Sequence, residues 1–155
     1  MAGHTRLEPK MRQIRQYKKV YNIVLSYFNT IMKESISTNK SPLATGPFSQ
    51  AIKTDKYVFT SGQIYLTTEG KLLEGTIEEK THQVLNNLKN ILEEAGCTFE
   101  NVVKTTIYVT DMSVYGKINE VYGGYFKQPY PAREVVCVQA LPLGAEVEIS
   151  MIAVK

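Results

Sequence analysis

Histidine and cysteine, which often serve as metal ligands or nucleophiles, are scarce in this chain of 155 residues. His4 and His82 have no partner at metal-ligand spacing, so we predict no metal site. The chain also lacks a glycine-rich phosphate loop and a Gly-x-Ser-x-Gly elbow. Cys137 lies in an apolar run, which predicts an inert core thiol, and Cys97 is interpreted as equally structural. The motifs that can be recognised from local spacing therefore give no indication of an enzyme.

Three local features still carry groups that could do chemistry. Gly46-Pro47-Phe48 predicts a rigid turn that displays an aromatic ring. Arg133, after Pro131-Ala132, brings a guanidinium to the entry of a predicted strand, and Glu148 is a carboxylate on the alternate face of the last strand. Taken alone, Arg133 is interpreted as a surface ion-pair residue and Glu148 as a solvated one, and no spacing connects them.

Hydrophobic periodicity predicts the elements that must position these groups. The predicted order is β-β-α-β-α-β-β, an α+β sheet with both helices on one face. The seven elements of this order are predicted at residues 50–53, 56–61, 76–96, 102–110, 111–126, 135–138 and 145–154, and residues 63–67 are interpreted as an additional short strand.

Several residues mark the ends of these elements. Thr76 with Glu79 predicts a capping box at the start of the first helix, and Gly96 predicts its end. Gly123-Gly124 weakens the second half of the second helix, which Tyr130-Pro131 would end. Because the strand at 135–138 is apolar on both faces, we expect oligomerisation through the sheet.

Residues 1–39 are interpreted as a basic amphipathic extension and linker, and residues 40–155 as the folded domain. Seven basic side chains and one acidic one give residues 1–33 a net charge of +6. Apolar residues recur at helical spacing in this extension, namely at Ile14, Tyr17, Tyr21, Val24, Phe28 and Ile31. The extension is an organelle-targeting segment or an accessory helix, and the Ser-rich run 35–42 is interpreted as a linker.

Charge and composition exclude several functional classes. Residues 34–155 carry eleven basic and fourteen acidic side chains, a net charge of −3, so a nucleic-acid partner is disfavoured. The most apolar stretch, 20–32, is too short and too polar to span a membrane. Two cysteines suit reduced thiols in a cytosol-like compartment. We therefore expect a cytoplasmic protein, with a mitochondrial or other organelle location through the basic segment as the alternative.

Short stretches over residues 42–154 together resemble the Rid family, the reactive intermediate deaminases, also called L-PSP endoribonuclease-like proteins. Each stretch is weak alone, but they recur in family order and spacing. They are Gly46-Pro-Phe-Ser-Gln-Ala51, Ser61-Gly-Gln-Ile64, Leu85-Asn-Asn-Leu88, Leu92-Glu-Glu-Ala-Gly96, Val102-Val-Lys-Thr-Thr106, Ile118-Asn119 with Tyr122, Pro131-Ala-Arg133, and Leu141-Pro142 with Glu146-Val-Glu-Ile149.

The resemblance implies a chorismate-mutase-like fold, assembled as a homotrimer with clefts between subunits. It implies hydrolysis of 2-imino acids or their enamine tautomers, such as 2-iminobutanoate and 2-iminopropanoate, to 2-keto acids and ammonia without a cofactor. Two other classes remain open: a ligand-binding or chaperone-like protein that uses the same cleft, and an endoribonuclease. The net charge and the missing histidine pair disfavour the endoribonuclease.

The resemblance also implies site residues. Arg133 would bind the substrate carboxylate, since a guanidinium can donate two parallel hydrogen bonds to it. Glu148 would hold the attacking water, Asn119 would line the cleft, and Gly62 would allow close backbone approach. Phe48 stands where the family commonly has tyrosine, so any role of that hydroxyl is lost here.

Overall fold

The computed structural model describes Met11, residues 14–21 and residues 33–155. The chain divides into two units, Met1–Met32 and Lys33–Lys155. Within the described ranges, no helix has the length and apolar character needed to cross a membrane.

In the first unit, residues 14–21 are helical. Ile14, Tyr17, Val20 and Tyr21 are all exposed apolar side chains of this helix. The rest of the predicted stripe, Val24, Phe28 and Ile31, lies outside the described residues, as does His4.

The second unit is a six-stranded sheet with two helices. The strands are β1 (Glu34–Ile36), β2 (Ala51–Lys53), β3 (Tyr57–Thr60), β4 (Val102–Val109), β5 (Ala132–Cys137) and β6 (Val147–Val154). The helices are α1 (Ile77–Glu94) and α2 (Tyr115–Gly123). The mixed α+β prediction and the order of its main elements are confirmed, with β1 as an addition.

The strands are arranged in the order β1-β2-β3-β6-β4-β5. All neighbouring pairs are antiparallel except β4 and β5, which α2 connects as a parallel crossover. The last strand in sequence, β6, therefore lies at the centre of the sheet, and β5 lies at its edge.

The core lies between one face of the sheet and the two helices. On β6 every second residue is buried, while Glu148, Ser150 and Ile152 occupy the opposite face. The helices contribute their apolar stripes to the same core, chiefly Val84, Leu85, Leu88, Ile91 and Leu92 of α1 with Ile118 and Tyr122 of α2.

The predicted ends of α1 are confirmed. Thr76 and Glu79 form a reciprocal capping box, in which each side chain accepts a hydrogen bond from the other residue's backbone N–H. After Glu94, Gly96 adopts a left-handed conformation (φ +81°), which glycine tolerates better than other residues do.

The second helix is shorter than the prediction of 111–126. The Asp111 side chain accepts a hydrogen bond from the Ser113 N–H and begins a separate 3-10 turn, Met112–Val114. The helix α2 then ends at Gly123, before Gly124. Two consecutive glycines are poor helix formers, which accounts for the early end.

The prediction of a linker at 35–42 is wrong for its first residues. Glu34–Ile36 forms β1, which pairs with β2. The buried Gln50 side chain accepts a hydrogen bond from the Thr38 N–H and donates to the carbonyls of Thr38, Ser41 and Pro42. These bonds join residues 8 to 12 positions apart, so local composition could not reveal them.

Two smaller predictions also need correction. The predicted strand at 63–67 is reduced to two isolated bridges, Gln63 with Ile149 and Leu66 with Leu72. Cys137 is exposed rather than a core thiol, because β5 lies at the edge of the sheet, whereas Cys97 is buried.

Candidate functional site

Arg133 is positioned by β5 and held by one face of α2. Its backbone pairs with Thr105 of β4, on the helix-covered face of the sheet. One guanidinium nitrogen, Nη2, donates hydrogen bonds to Asn119 Oδ1 (2.8 Å) and to the Tyr115 hydroxyl (3.1 Å). The guanidinium carbon also lies 4.7 Å from the centre of the Tyr122 ring, within cation–π range. The orientation of Arg133 is therefore determined by three helix side chains.

The guanidinium borders a cavity of about 430 Å³ with Asn119, Tyr122, Tyr130 and Pro131. Among the described residues, no carboxylate lies within ion-pair distance of Arg133. Burial raises the pKa of Tyr122, although its hydrogen bond to Thr105 and the nearby Arg133 charge act in the opposite direction. Tyr122 is therefore neutral at physiological pH, and Arg133 remains able to bind an anion.

Glu148 is positioned by β6 on the other face of the sheet. Its backbone pairs with Tyr108 of β4, and Gln63 beside it bridges to Ile149 with two backbone hydrogen bonds. This bridge brings Gly62 against the carboxylate, and a Cβ at Gly62 would overlap Glu148 Oε1. Glycine at position 62 thus lets the backbone approach the carboxylate closely, and the role of Gly62 in substrate binding stays a prediction.

The Glu148 carboxylate lies in an environment that favours its neutral form. Burial raises the pKa of Glu148, because partial loss of water disfavours the charge. No hydrogen bond from the described residues reaches this carboxylate to offset that effect. A carboxyl group with a raised pKa can exchange protons nearer to neutral pH than an ordinary glutamate.

Glu148 borders a second cavity, of about 580 Å³, whose walls are mostly apolar. Phe48 lines this cavity and is 54% exposed, so its ring faces an opening as predicted from the Gly-Pro-Phe turn. The other apolar walls are Pro42, Leu43, Ile64, Leu66, Pro142 and Leu143. The charged side chains of the lining are Glu69 and Glu148, and no basic side chain belongs to it.

The predicted site residues therefore form two groups within one chain. Arg133 lies with Asn119, whereas Glu148 lies with Gly62 and Phe48. Arg133 is opposite Thr105 and Glu148 is opposite Tyr108, three residues further along β4. Since side chains alternate along a strand, an odd separation places the two groups on opposite faces of the sheet.

Sequence reasoning missed Tyr115 and the apolar walls contributed by Leu43 and Leu143. A signal for Tyr115 was present, because Tyr115, Asn119 and Tyr122 are separated by four and three residues and share a helix face. The apolar walls come from loops, for which periodicity gives no signal. No cluster of potential metal ligands occurs in the described ranges, and His82 is exposed on α1 with Nδ1 2.7 Å from the Tyr125 hydroxyl.

Comparisons with known proteins agree with this architecture. A mouse 2-iminobutanoate/2-iminopropanoate deaminase is 46% identical over 128 residues, or 82% of this chain and 95% of that protein. The chloroplastic Reactive Intermediate Deaminase A of Arabidopsis thaliana is 45% identical over 81% of this chain and 67% of its own length.

A solved structure also matches most of the chain. The E. coli protein TdcF, whose structure contains bound serine, is 34% identical with a TM-score of 0.75, over 79% of this chain and 98% of that one. The model of the family described as Endoribonuclease L-PSP matches residues 38–155, which include every site residue discussed above. The fold, the motifs and this match agree, and the chain therefore belongs to the Endoribonuclease L-PSP family, which includes the Rid proteins.

Proposed function

We propose that this chain hydrolyses 2-imino acids, such as 2-iminobutanoate and 2-iminopropanoate, to 2-keto acids and ammonia. The names of the mouse and Arabidopsis relatives support this reaction. The structural observation that carries the proposal is the Arg133 guanidinium, which is oriented by Tyr115 and Asn119 and borders a cavity without a carboxylate partner.

Arg133 binds the substrate carboxylate in this proposal. Its hydrogen bonds to Tyr115 and Asn119 use Nη2 alone, so Nη1 can donate to a bound anion, and Nη2 can exchange one of its two bonds for the same anion. A planar guanidinium can give a carboxylate two parallel hydrogen bonds, which fixes the orientation of the adjacent imine carbon. The ring of Tyr122 below it limits movement of the guanidinium.

Glu148 activates water for addition to the C=N bond. The water oxygen bonds to the imine carbon while Glu148 accepts a water proton, and solvent protonates the imine nitrogen to give a carbinolamine. Glu148 then returns its proton to nitrogen, the C–N bond breaks, and ammonia leaves. The hydroxyl proton passes to solvent as the C=O bond of the keto acid forms. A raised pKa suits Glu148 to both proton transfers.

These two roles require Arg133 and Glu148 to approach one substrate, although they lie on opposite faces of one sheet. The Glu148 cavity has two carboxylates and no basic lining residue, so by itself it disfavours an anionic substrate. We infer that Arg133 of a neighbouring subunit completes the site. A homotrimer with clefts between subunits, as the resemblance implies, provides such neighbours.

The open face of the sheet supports this assembly. Tyr57, Phe59, Val136 and Val154 are exposed apolar side chains on that face, whose opposite side the helices cover. Exposed apolar surface of this kind is typical of a protein–protein interface. Association through this face would bury these side chains and bring subunits together near Glu148.

The compartment is part of the proposal. We place the reaction in the cytoplasm, and an organelle is the alternative, because residues 1–33 are strongly basic. The Arabidopsis relative is described as chloroplastic. Expression of residues 1–39 fused to a fluorescent protein would distinguish these locations.

Substitution of Arg133 tests the carboxylate role. Loss of a hydrogen bond to a charged group costs about 1.5–3 kcal/mol, so Arg133→Ala should lower kcat/KM for 2-iminobutanoate by about 10- to 150-fold. Arg133→Lys keeps the charge without the planar fork and should restore only part of the activity. The assay follows 2-ketobutyrate formation from an imine released by a threonine dehydratase, with semicarbazide as a trap for free imine.

An imine without a carboxylate is the matched control substrate. Both Arg133 variants should hydrolyse it as fast as the wild type does, because it makes no contact with the guanidinium. Circular dichroism and size-exclusion chromatography first establish that each variant is folded and assembled. If folded Arg133→Ala retains wild-type kcat/KM for 2-iminobutanoate, the carboxylate role is wrong and the deaminase proposal loses its main support.

A further inference from the structure

The cavity beside Glu148 exposes more apolar surface than the proposed chemistry requires. Leu43 is 60% exposed, Phe48 54% and Leu143 71%, and all three border the same opening. Large apolar side chains that converge on one opening are typical of a ligand-binding surface. Water addition to an imine needs Glu148 and a bound carboxylate, so this wall is available for another part of the substrate.

Leu143 is held in this wall by an unfavourable backbone conformation. Its φ is +57°, and it is the only residue other than glycine with positive φ among those the structure describes. The left-handed conformation costs a residue with a Cβ about 1–2 kcal/mol, and leucine has no polar side chain to offset this. The flanking turn maintains it, because Gly144 N–H donates to the Leu141 carbonyl and Ala145 N–H donates to that of Pro142.

The turn thus keeps the most exposed side chain of the wall beside the carboxylate. Strained residues persist where the surrounding structure imposes them, and they cluster at ligand sites. If Leu143 had only to form a turn, asparagine or glycine would do so with less strain. The backbone strain and the position beside Glu148 together indicate that the leucine side chain has a role at the cavity.

We propose that Leu143 is a specificity-determining residue that contacts the side chain of the imino acid. This inference rests on the deaminase proposal and extends it to the substrate class. The cavity of about 580 Å³ accommodates chains larger than methyl or ethyl, and its wall of Leu43, Phe48 and Leu143 suits apolar ones. Glu69 and Glu148 disfavour acidic side chains, since no basic residue of the lining balances them. The preferred substrates are imino acids with branched or longer apolar side chains.

The test compares 2-imino-4-methylpentanoate with 2-iminopropanoate, both generated in the assay by an amino acid oxidase. In the wild type, kcat/KM should be higher for the longer imine. Leu143→Asn should lower the ratio of the two kcat/KM values about tenfold, at the low end of what an apolar pocket contact contributes to discrimination. Activity on 2-iminopropanoate should stay within about threefold, because its methyl group makes few contacts with the wall.

Two further variants separate a substrate contact from a structural role. Like Leu143→Asn, Leu143→Gly relieves the backbone strain at this position, so both variants should unfold at a higher temperature than the wild type. Both should also lose the preference for the longer imino acid. Met112→Asn replaces an exposed apolar residue outside this cavity and should leave the ratio unchanged. If Leu143 had only a structural role, its substitution would instead change kcat/KM for both substrates by the same factor.

Failure of this inference is distinguishable from failure of the proposed function. If the wild type hydrolyses both imino acids but the ratio is the same in wild type, Leu143→Asn and Leu143→Gly, the specificity role is wrong and the deaminase proposal stands. If the wild type hydrolyses neither imino acid, both proposals are wrong.

Discussion

Two carboxylates on the open face of the sheet lie in opposite environments. Glu134 of β5 accepts hydrogen bonds from Lys104 Nζ (2.7 Å) and the Thr106 hydroxyl (2.9 Å), which lower its pKa. Glu148 of β6 has no such partners among the described residues, and burial raises its pKa. Glu134 is thus a stabilising surface group, whereas the Glu148 charge is maintained at a cost in stability, as is common for residues kept for function.

In the Arg133→Ala background, where no neighbouring guanidinium can offset the Glu148 charge, Glu148→Gln should therefore stabilise the protein at neutral pH. Because the pKa of Glu148 is higher in the folded chain than in the unfolded one, its ionisation opposes folding as pH rises through the folded pKa. Below the ordinary glutamate pKa of 4.5 both states are mostly protonated, so the advantage of glutamine disappears. Thermal unfolding should give Glu148→Gln the higher Tm at pH 7 and equal Tm values near pH 4. With Arg133 present, Glu148→Gln should sharply lower activity, since glutamine cannot accept the water proton.

Glu134→Gln is the matched control, and its effect on stability should be opposite to that of Glu148→Gln. The pKa of Glu134 is lowered, so its contribution to stability is present above the ordinary pKa and is lost as pH falls through the folded pKa. Glu134→Gln should have a Tm at or below that of the wild type at pH 7, with unchanged kcat/KM. In the Arg133→Ala background, a lower Tm at pH 7 with Glu148→Gln than without it would contradict the desolvated environment described for Glu148.

At the scale of elements, β1 has weak sequence signals but strong long-range bonds. Its three residues pair with β2, and the Gln50 side chain connects the following segment to the sheet by four hydrogen bonds. This segment leads directly to Leu43 and Phe48 in the wall of the Glu148 cavity. The segment that resembles a linker therefore helps to position the site.

Two truncations should separate this segment from the basic extension. Deletion of residues 1–32 leaves β1 and every hydrogen bond of Gln50 in place, so stability to urea should change little. Deletion of residues 1–38 removes β1 and Thr38 and leaves the buried Gln50 amide partly unsatisfied, which costs about 1–3 kcal/mol. Circular dichroism during urea unfolding measures the stability of both truncated proteins. Equal midpoints for the two truncations would show that β1 does not contribute to the domain.

The elements that the sequence predicted best are those with local signals. Helix α1 combines an apolar period of 3.6 with a capping box and a terminal glycine, and its observed ends agree with the prediction. The end of α2 was predicted too late, because the apolar residues Tyr125 and Phe126 continue the helical spacing although they pack against Phe99 from a loop. Strand β1 was missed because its pairing depends on distant residues. Local patterns do not encode such contacts.

At the scale of the molecule, the two groups of site residues are separate within one chain. The predicted site roles of Arg133, Asn119, Gly62 and Glu148 came only from the family resemblance, since each is an ordinary residue in its own element. Strand alternation then places Arg133 and Glu148 on opposite faces of the sheet. Sequence patterns alone could not predict this division, because it depends on the register of β4 with both of its neighbouring strands. Under the proposed function, a second subunit must therefore supply one of the two groups.

Mixing of inactive variants tests this directly. If each site takes Arg133 from one subunit and Glu148 from another, Arg133→Ala and Glu148→Gln chains refolded together in equal amounts should form a wild-type site at about one quarter of the clefts. Each variant refolded alone should remain nearly inactive. The control is a double variant, Arg133→Ala with Glu148→Gln, refolded with an equal amount of wild type. Shared sites predict about one quarter of full activity for this mixture as well, whereas sites within one chain predict about half. No activity from the two single variants together, with half activity from the control, would place both residues in one subunit's site and contradict the proposed assembly.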